Sequence, residues 1–112
     1  LREHYAHKVD APYYPEMVEY MTSGPVLFLI VEGQNVIAGT RALRGATEFE
    51  DMAAGTIRGD LAYCVRFNLI HGSDSPESAQ RELGLFFKPE ELVDWAPAVQ
   101  GWVYDLSKGT PE

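Results

Sequence analysis

The sequence predicts an α+β domain, and three observations carry that expectation. Val26-Leu27-Phe28-Leu29-Ile30-Val31 is an unbroken apolar run of strand length, the pattern of a strand covered on both faces. Leu69 and Ile70 form a second strand-type stretch that surfaces at His71 and turns at Gly72. Between and after them, Pro15 to Met21, Val36 to Leu43 and Pro76 to Phe87 have helical character.

Leu1 to Asp10 reads as the tail of a helix, cut into rather than begun, with no capping residue before Leu1. His4 and His7 stand at i, i+3. They could share a metal, but no third ligand is in view, and a solvated helix face explains them as well. The Tyr5 hydroxyl could reach a phosphate. Ala11 to Tyr14 is a turn bearing two aromatics, Tyr13 and Tyr14. Pro15 then opens a short helix with Met17, Val18 and Met21 as its buried stripe, and Thr22-Ser23-Gly24-Pro25 stops it. After the apolar run, Glu32-Gly33-Gln34-Asn35 is a turn. In the Val36–Leu43 helix, Val36, Ile37 and Leu43 face inward. Gly39 weakens it by about 1 kcal/mol relative to alanine. Arg41 and Arg44 lie near its C-terminus, where the helix dipole tolerates cations, and Gly45 closes it.

Residues 46–59 form a long acidic connection with Thr47 and Arg58 near its two ends. Connections of that length inside a compact domain are usually functional. Leu61 to Val65 is extended or turn-like, and both readings stay open. Ser75 and Pro76 suit the cap and first position of the next helix, where Ala79, Leu83 and Phe86 share one face. Lys88-Pro89 ends it, and Glu90 to Val93 is one further helical turn. Trp95, Trp102 and Tyr104 then sit in a proline-containing tail and need cover, for which a subunit neighbour would serve. Residues 1–105 make one domain, and 106–112 are expected to be a disordered tail.

The chain has 112 residues, too few for two cores. Its formal charge is −8, opposite to what a nucleic-acid surface needs, so nucleic acid is not expected as a main partner. Between Lys8 and Lys88, however, all five cations are arginines: Arg41, Arg44, Arg58, Arg66 and Arg81. The guanidinium fork holds two phosphate oxygens at once, so an acidic shell with local arginines suits a small phosphorylated ligand. No apolar run is long enough to span a bilayer, and nothing at the start reads as a signal peptide. Cys64 is the only cysteine. It is expected to be a small buried strand residue, and a reducing, cytoplasmic compartment fits.

His71 stands where an apolar strand meets a helix N-terminus, whose backbone donors favour an anion. A histidine there can attack phosphorus. It can equally be a turn histidine with its hydrogen bonds satisfied, and Glu82, two turns into the helix, can be a plain exposed carboxylate.

Four ordered segments bear on that choice: Ser23-Gly24-Pro25-Val26, Gly55-Thr56-Ile57-Arg58-Gly59-Asp60, Ile70-His71-Gly72-Ser73-Asp74-Ser75 and Phe86-Phe87-Lys88-Pro89-Glu90-Glu91-Leu92. Together, over His4 to about Tyr104, the chain resembles the nucleoside diphosphate kinases. The resemblance implies a ferredoxin-like antiparallel sheet with helices packed on it. It implies Mg²⁺-dependent ping-pong transfer of the γ-phosphoryl group from ATP to nucleoside diphosphates through a phosphohistidine at His71. Glu82 would orient the ring, with Ser73 close by. Arg41, Thr47 and Arg58 would hold phosphates with Tyr5 nearby. Tyr13 and Val65 would clamp the base without reading its edges, and Asn68 would bond the sugar. Mg²⁺ would be held by nucleotide phosphates, with no protein side-chain ligand. A homo-hexamer or tetramer would form through residues 46–59 and the Trp-bearing tail.

Two departures from the family pattern stand out. Phe67 occupies a place where many members carry arginine. The family's first βαβ unit, with its Lys-Pro-Asp motif, is not in this sequence, so the N-terminal strand-helix-strand is expected to be missing from the sheet, either in a fragment or in a reduced member. Two rival functions are a non-catalytic kinase-like interaction module and a phosphohistidine carrier fed by another protein.

Overall fold

The structure is a computed structural model that describes residues 1–109. Five α-helices run in order: α1 (Tyr14–Met21), α2 (Val36–Arg44), α3 (Ile57–Leu61), α4 (Pro76–Phe86) and α5 (Gln100–Val103). Short 3-10 turns lie at Ala6–Lys8, Phe49–Asp51 and Pro89–Glu91. The last is the single turn expected near Glu90. The first replaces the expected helix tail, and α5 is a turn of helix that the tail's composition did not announce.

Helix boundaries follow local chemistry. Pro15 opens α1, and Met17, Val18 and Met21 are all half-buried, as their spacing predicts. At α4 the Ser75 hydroxyl accepts the Ser78 N–H at 3.1 Å, and Pro76 needs no partner for a missing N–H. At α3 the Thr56 hydroxyl accepts the Gly59 N–H at 3.0 Å and donates to the Ala53 carbonyl at 2.6 Å. Asp60 accepts the Gly55 N–H at 2.8 Å. The Gly55–Asp60 segment is thus a self-capped helical start. Gly59 must be glycine, because a Cβ there would stand 1.7 Å from the Ala53 carbonyl oxygen. On α2 the inward face differs from the expectation: Val36, Ile37 and Thr40 are half-buried and Arg44 is buried, whereas Leu43 is 61% exposed.

Among the described residues no strand is present. Val26 to Val31 is without regular structure and every residue of it is exposed, Leu27 at 81%. The run was expected to be covered on both faces; a strand is covered by its neighbours, and no described segment pairs with it. Leu69 departs from strand geometry altogether. Its φ is +70°, and the Ile70 N–H donates back to the Asn68 carbonyl at 2.8 Å, closing a strained γ-turn. Cys64 likewise is half-buried and outside any strand.

The packing is correspondingly open. Among the described residues the buried apolar ones are Tyr5 and Ala62, beside the polar His4, Arg44 and Arg58. The accessible surface is 8998 Å², against about 6,200 Å² expected for a compact monomer of this mass. The radius of gyration is 16.7 Å, against about 13 Å. Trp95 and Trp102 are 73% and 92% exposed. No helix is long and apolar enough to cross a membrane among the described residues. Of the tail 106–112, Leu106 to Gly109 make a turn closed by the Gly109 N–H on the Leu106 carbonyl at 3.2 Å, and residues 110–112 lie outside the described residues.

Candidate active site

Four of the buried residues, His4, Tyr5, Arg44 and Arg58, gather about His71 and the backbone on either side of it. Its backbone is held by two arginines rather than by a sheet. Arg58, 6% exposed on α3, donates from Nη2 to the Ile70 carbonyl at 2.6 Å and from Nε to the Asn68 carbonyl at 3.2 Å. Its Nη1 reaches the Gly45 carbonyl at 3.1 Å and the Thr47 hydroxyl at 3.3 Å. Arg44, 8% exposed at the end of α2, donates from Nη1 to the Gly72 carbonyl at 2.8 Å. The residues before and after His71 are therefore clamped, and the γ-turn at Leu69 is over-determined by the Arg58 contact to Asn68. Backbone strain of roughly 1–3 kcal/mol persists only where surroundings hold it in this way. Gly72 leaves room for the close approach: a Cβ there would stand 2.8 Å from the Arg44 guanidinium, which would have to shift.

The ring itself is aimed by α4. His71 Nε2 lies 3.0 Å from Glu82 Oε1, and the Ser73 hydroxyl donates to Glu82 Oε2. Burial alone raises the Glu82 pKa, but the Ser73 hydroxyl and the His71 ring outweigh it, and the carboxyl is held below its usual value. Glu82 is thus an acceptor only, so Nε2 carries the ring proton. The lone pair is then on Nδ1, which no described group hydrogen-bonds, in a side chain 43% exposed. In that tautomer Nδ1 is the nitrogen available for attack, and the Glu82 carboxylate at Nε2 can hold the charge that develops on the ring.

Around the ring, Tyr5 is 8% exposed, with its ring centroid 6.1 Å from that of His71. Burial, then the Glu82 charge, pushes its hydroxyl pKa up, so it stays a donor. Thr47 and Arg41 are exposed, and Thr47 is tied to Arg58. Arg41 and the exposed Asp74 are within electrostatic reach of one another, and Asp74 of His71. Asn68 is half-buried with its carbonyl taken by Arg58. The structure therefore brings Ser73, Tyr5, Thr47, Arg58, Asn68 and Glu82 about His71. Tyr13 and Val65 stand apart, 51% and 39% exposed, with no hydrogen bond, ion pair or ring contact to the cluster among the described residues. Phe67 stacks on Tyr20 at 4.8 Å, while the neighbouring Arg66 pairs with Glu16 at 2.9 Å, so this segment docks on α1.

Sequence reasoning missed two members of the site. His4 is 4% exposed, with its ring edge-on to His71 at 4.6 Å and to Phe86 at 5.2 Å, and its Nδ1 3.7 Å from Glu82 Oε1. It is not on a solvated face with His7. Arg44 was read as one of several arginines near a helix end, where the dipole tolerates cations, and not as a buried brace. The only signal for it was its place seven residues after Ile37, on the same helical face. For His4 no local signal exists, since its partners lie far along the chain.

Known proteins bear on this arrangement. The sequence profile described as nucleoside diphosphate kinase matches residues 1–92. The nucleoside diphosphate kinase of Thermosynechococcus vestitus is 49% identical over 104 residues, covering 93% of this chain and 69% of that protein. Human nucleoside diphosphate kinase A is 49% identical over 105 residues, covering 94% and 69%. A halophilic nucleoside diphosphate kinase from Halobacterium salinarum, solved in complex with CDP, superposes with a TM-score of 0.85 at 44% identity, over 93% of this chain and 70% of that one. A nucleoside diphosphate kinase family protein from Babesia bovis gives 0.83 at 42% identity, over 92% and 70%. With a histidine braced by a carboxylate at its centre and likeness on this scale along most of its length, the chain belongs to the nucleoside diphosphate kinase family.

Proposed function

We propose that this chain is a nucleoside diphosphate kinase that works through His71. The observation that carries the reading is the pairing of His71 Nε2 with Glu82 at 3.0 Å, which leaves Nδ1 as the nucleophile. In the first half-reaction the Nδ1 lone pair forms a bond to the γ-phosphorus of a nucleoside triphosphate. The bond from that phosphorus to the bridging oxygen breaks, and the diphosphate departs with the electron pair. The imidazole becomes cationic, and Glu82 stabilises it through Nε2–H. The second diphosphate reverses these steps. A single nucleophile thus serves both nucleotides, as a ping-pong scheme requires.

Arg41 and Thr47 hold phosphate oxygens from the open side of His71. Arg58 has four of its donor contacts on the protein, so its main work is to fix the His71 backbone, with one Nη2 hydrogen remaining for a phosphate. Tyr5 donates nearby, and Asn68 bonds the sugar through its side chain. Tyr13 and Val65 grip the base once nucleotide draws them together. The CDP complex of the Halobacterium relative supports a nucleotide at this site.

A magnesium ion would be carried in on the phosphate oxygens of the nucleotide with no side-chain ligand, while the arginine and hydroxyl groups on the open side bind phosphate oxygens rather than the cation. Mg²⁺ prefers oxygen ligands and would neutralise charge on the phosphates. We further infer that Val26–Val31 and the segment leading to His71 belong to a ferredoxin-like antiparallel sheet. Residues 46–59 and the exposed Trp95 and Trp102 would contact other subunits of a homo-hexamer or tetramer, in the cytoplasm. Residues 1–105 act as the kinase domain.

Incubation with γ-labelled ATP and Mg²⁺ tests the assignment. Label on His71 that a nucleoside diphosphate removes is the expected result. Label that only another protein removes indicates a carrier, and no label in the folded chain indicates an interaction module; either result overturns the kinase reading.

A further inference from the structure

We propose that His4 Nδ1, His71 Nε2 and Glu82 Oε1 form an inhibitory site for a divalent transition-metal cation of the zinc type. One ligand atom from each of the three residues lies within 4.8 Å of the other two. His71 Nε2 and His4 Nδ1 are 3.0 and 3.7 Å from Glu82 Oε1. Ligands of a tetrahedral zinc ion, at bonds of about 2.0–2.2 Å, stand roughly 3.4 Å apart, between those two spacings.

A second observation points independently to a ligand. His4 is 4% exposed, and its Nδ1 is buried without a hydrogen-bond partner. Buried polar atoms are nearly always satisfied, and this one is aimed at the Glu82 carboxylate across a gap too long for a hydrogen bond. A cation between the two would satisfy it. Ser73 already holds the other Glu82 oxygen, which orients the carboxylate. The Arg81 guanidinium, 3.8 Å from Oε1 and half exposed, can turn to water. The exposed side of His71 leaves the fourth position to a water molecule. Two imidazoles and a carboxylate suit zinc; magnesium takes oxygen ligands, so the two ions do not compete.

The consequence for catalysis comes from the tautomer. A metal at Nε2 takes that nitrogen's lone pair, so the ring's single proton resides on Nδ1. The nitrogen that attacks phosphorus has then lost its free pair. No charge is gained or lost by the ring; the proton changes nitrogen. Zinc therefore blocks phosphoryl entry while leaving the phosphate-binding side open, and inhibition is not relieved by more nucleotide.

The inhibition rests on the function proposed above, whereas binding does not, and the experiment separates them. Cobalt(II) is titrated into the full chain and followed by its visible ligand-field absorption. In parallel, zinc is added to ¹⁵N-labelled chain and the imidazole nitrogens are observed, and zinc is added to the labelled-ATP reaction. We expect tetrahedral cobalt bands, zinc-induced shifts at His4 and His71 but not His7, and loss of label uptake that excess ATP does not restore. His4→Gln should weaken cobalt binding by about tenfold or more and lower zinc sensitivity relative to its own zinc-free rate. Cobalt bound equally well by His4→Gln, or zinc shifts at His7 with His4 unmoved, overturns the site. Should that variant not fold, the nitrogen shifts of the unaltered chain decide. A chain that binds cobalt through His4 and His71 yet never takes up label would leave the metal site standing and refute the kinase reading instead.

Discussion

Replacing Glu82 by glutamine tests the orientation of the nucleophile most directly. The change keeps the shape of the side chain and removes its charge. In the parent, Oε1 accepts from His71 Nε2 at 3.0 Å and Oε2 from the Ser73 hydroxyl. Glutamine can still accept one of these bonds, but its amide nitrogen cannot accept the other. A hydrogen bond to a charged group contributes about 1.5–3 kcal/mol, and the cationic ring that forms on attack draws on the whole of that contribution. At about 1.4 kcal/mol per factor of ten, phosphorylation of His71 should slow roughly tenfold to hundredfold. The loss should fall on the rate constant at saturating nucleotide, because Glu82 lies behind the ring and away from the phosphates. Rapid-quench measurement of phosphohistidine formation from γ-labelled ATP reads it. A rate within about threefold of the parent, or a change confined to apparent nucleotide affinity, would refute the reasoning.

Arg58→Lys should destabilise the chain by about 3 kcal/mol, since a lysine ammonium cannot reach the Gly45 and Ile70 carbonyls together and at least two charged-donor bonds are lost. Urea unfolding followed by circular dichroism measures it, and a loss under about 0.5 kcal/mol would exclude the clamp. Stability should also fall in acid. Burial first, and the facing His71 ring second, hold the His4 pKa below its ordinary value of about 6.5. The folded state then binds fewer protons than the unfolded one, so this contribution is complete above that value and is lost as pH falls through the lower, folded value. Glu82, whose pKa is also lowered, adds the same sign at lower pH. Urea midpoints recorded from pH 7.5 down to about 5 should decline, and His4→Gln should flatten the first part of the decline.

Helix α1, the start of α4 and the end of α2 at Gly45 were readable because their signals are local: Pro15, the Ser75-Pro76 cap and a glycine at φ +85° each act within a few residues. The family was readable for a different reason, through four motifs in family order. Leu43 was misjudged because two adjacent apolar residues and a basic one fit the α2 face almost equally well, and the Gly72 carbonyl decided in favour of Arg44. Val26 to Val31 forms no strand among the described residues, because an apolar run specifies what a strand needs and not whether a neighbour supplies it.

Taken alone, the order of residues determined where α1 and α4 begin and where α2 ends, and it carried the family motifs, because caps and motif spacing are properties of adjacent residues. Only the tertiary structure decided which ring nitrogen is free, that two arginines brace the backbone on either side of His71, and that His4 lies buried against it. Those facts depend on groups up to 78 positions apart, His4 and Glu82, meeting within 3.7 Å. Contacts between such distant residues follow from packing, which local sequence does not encode.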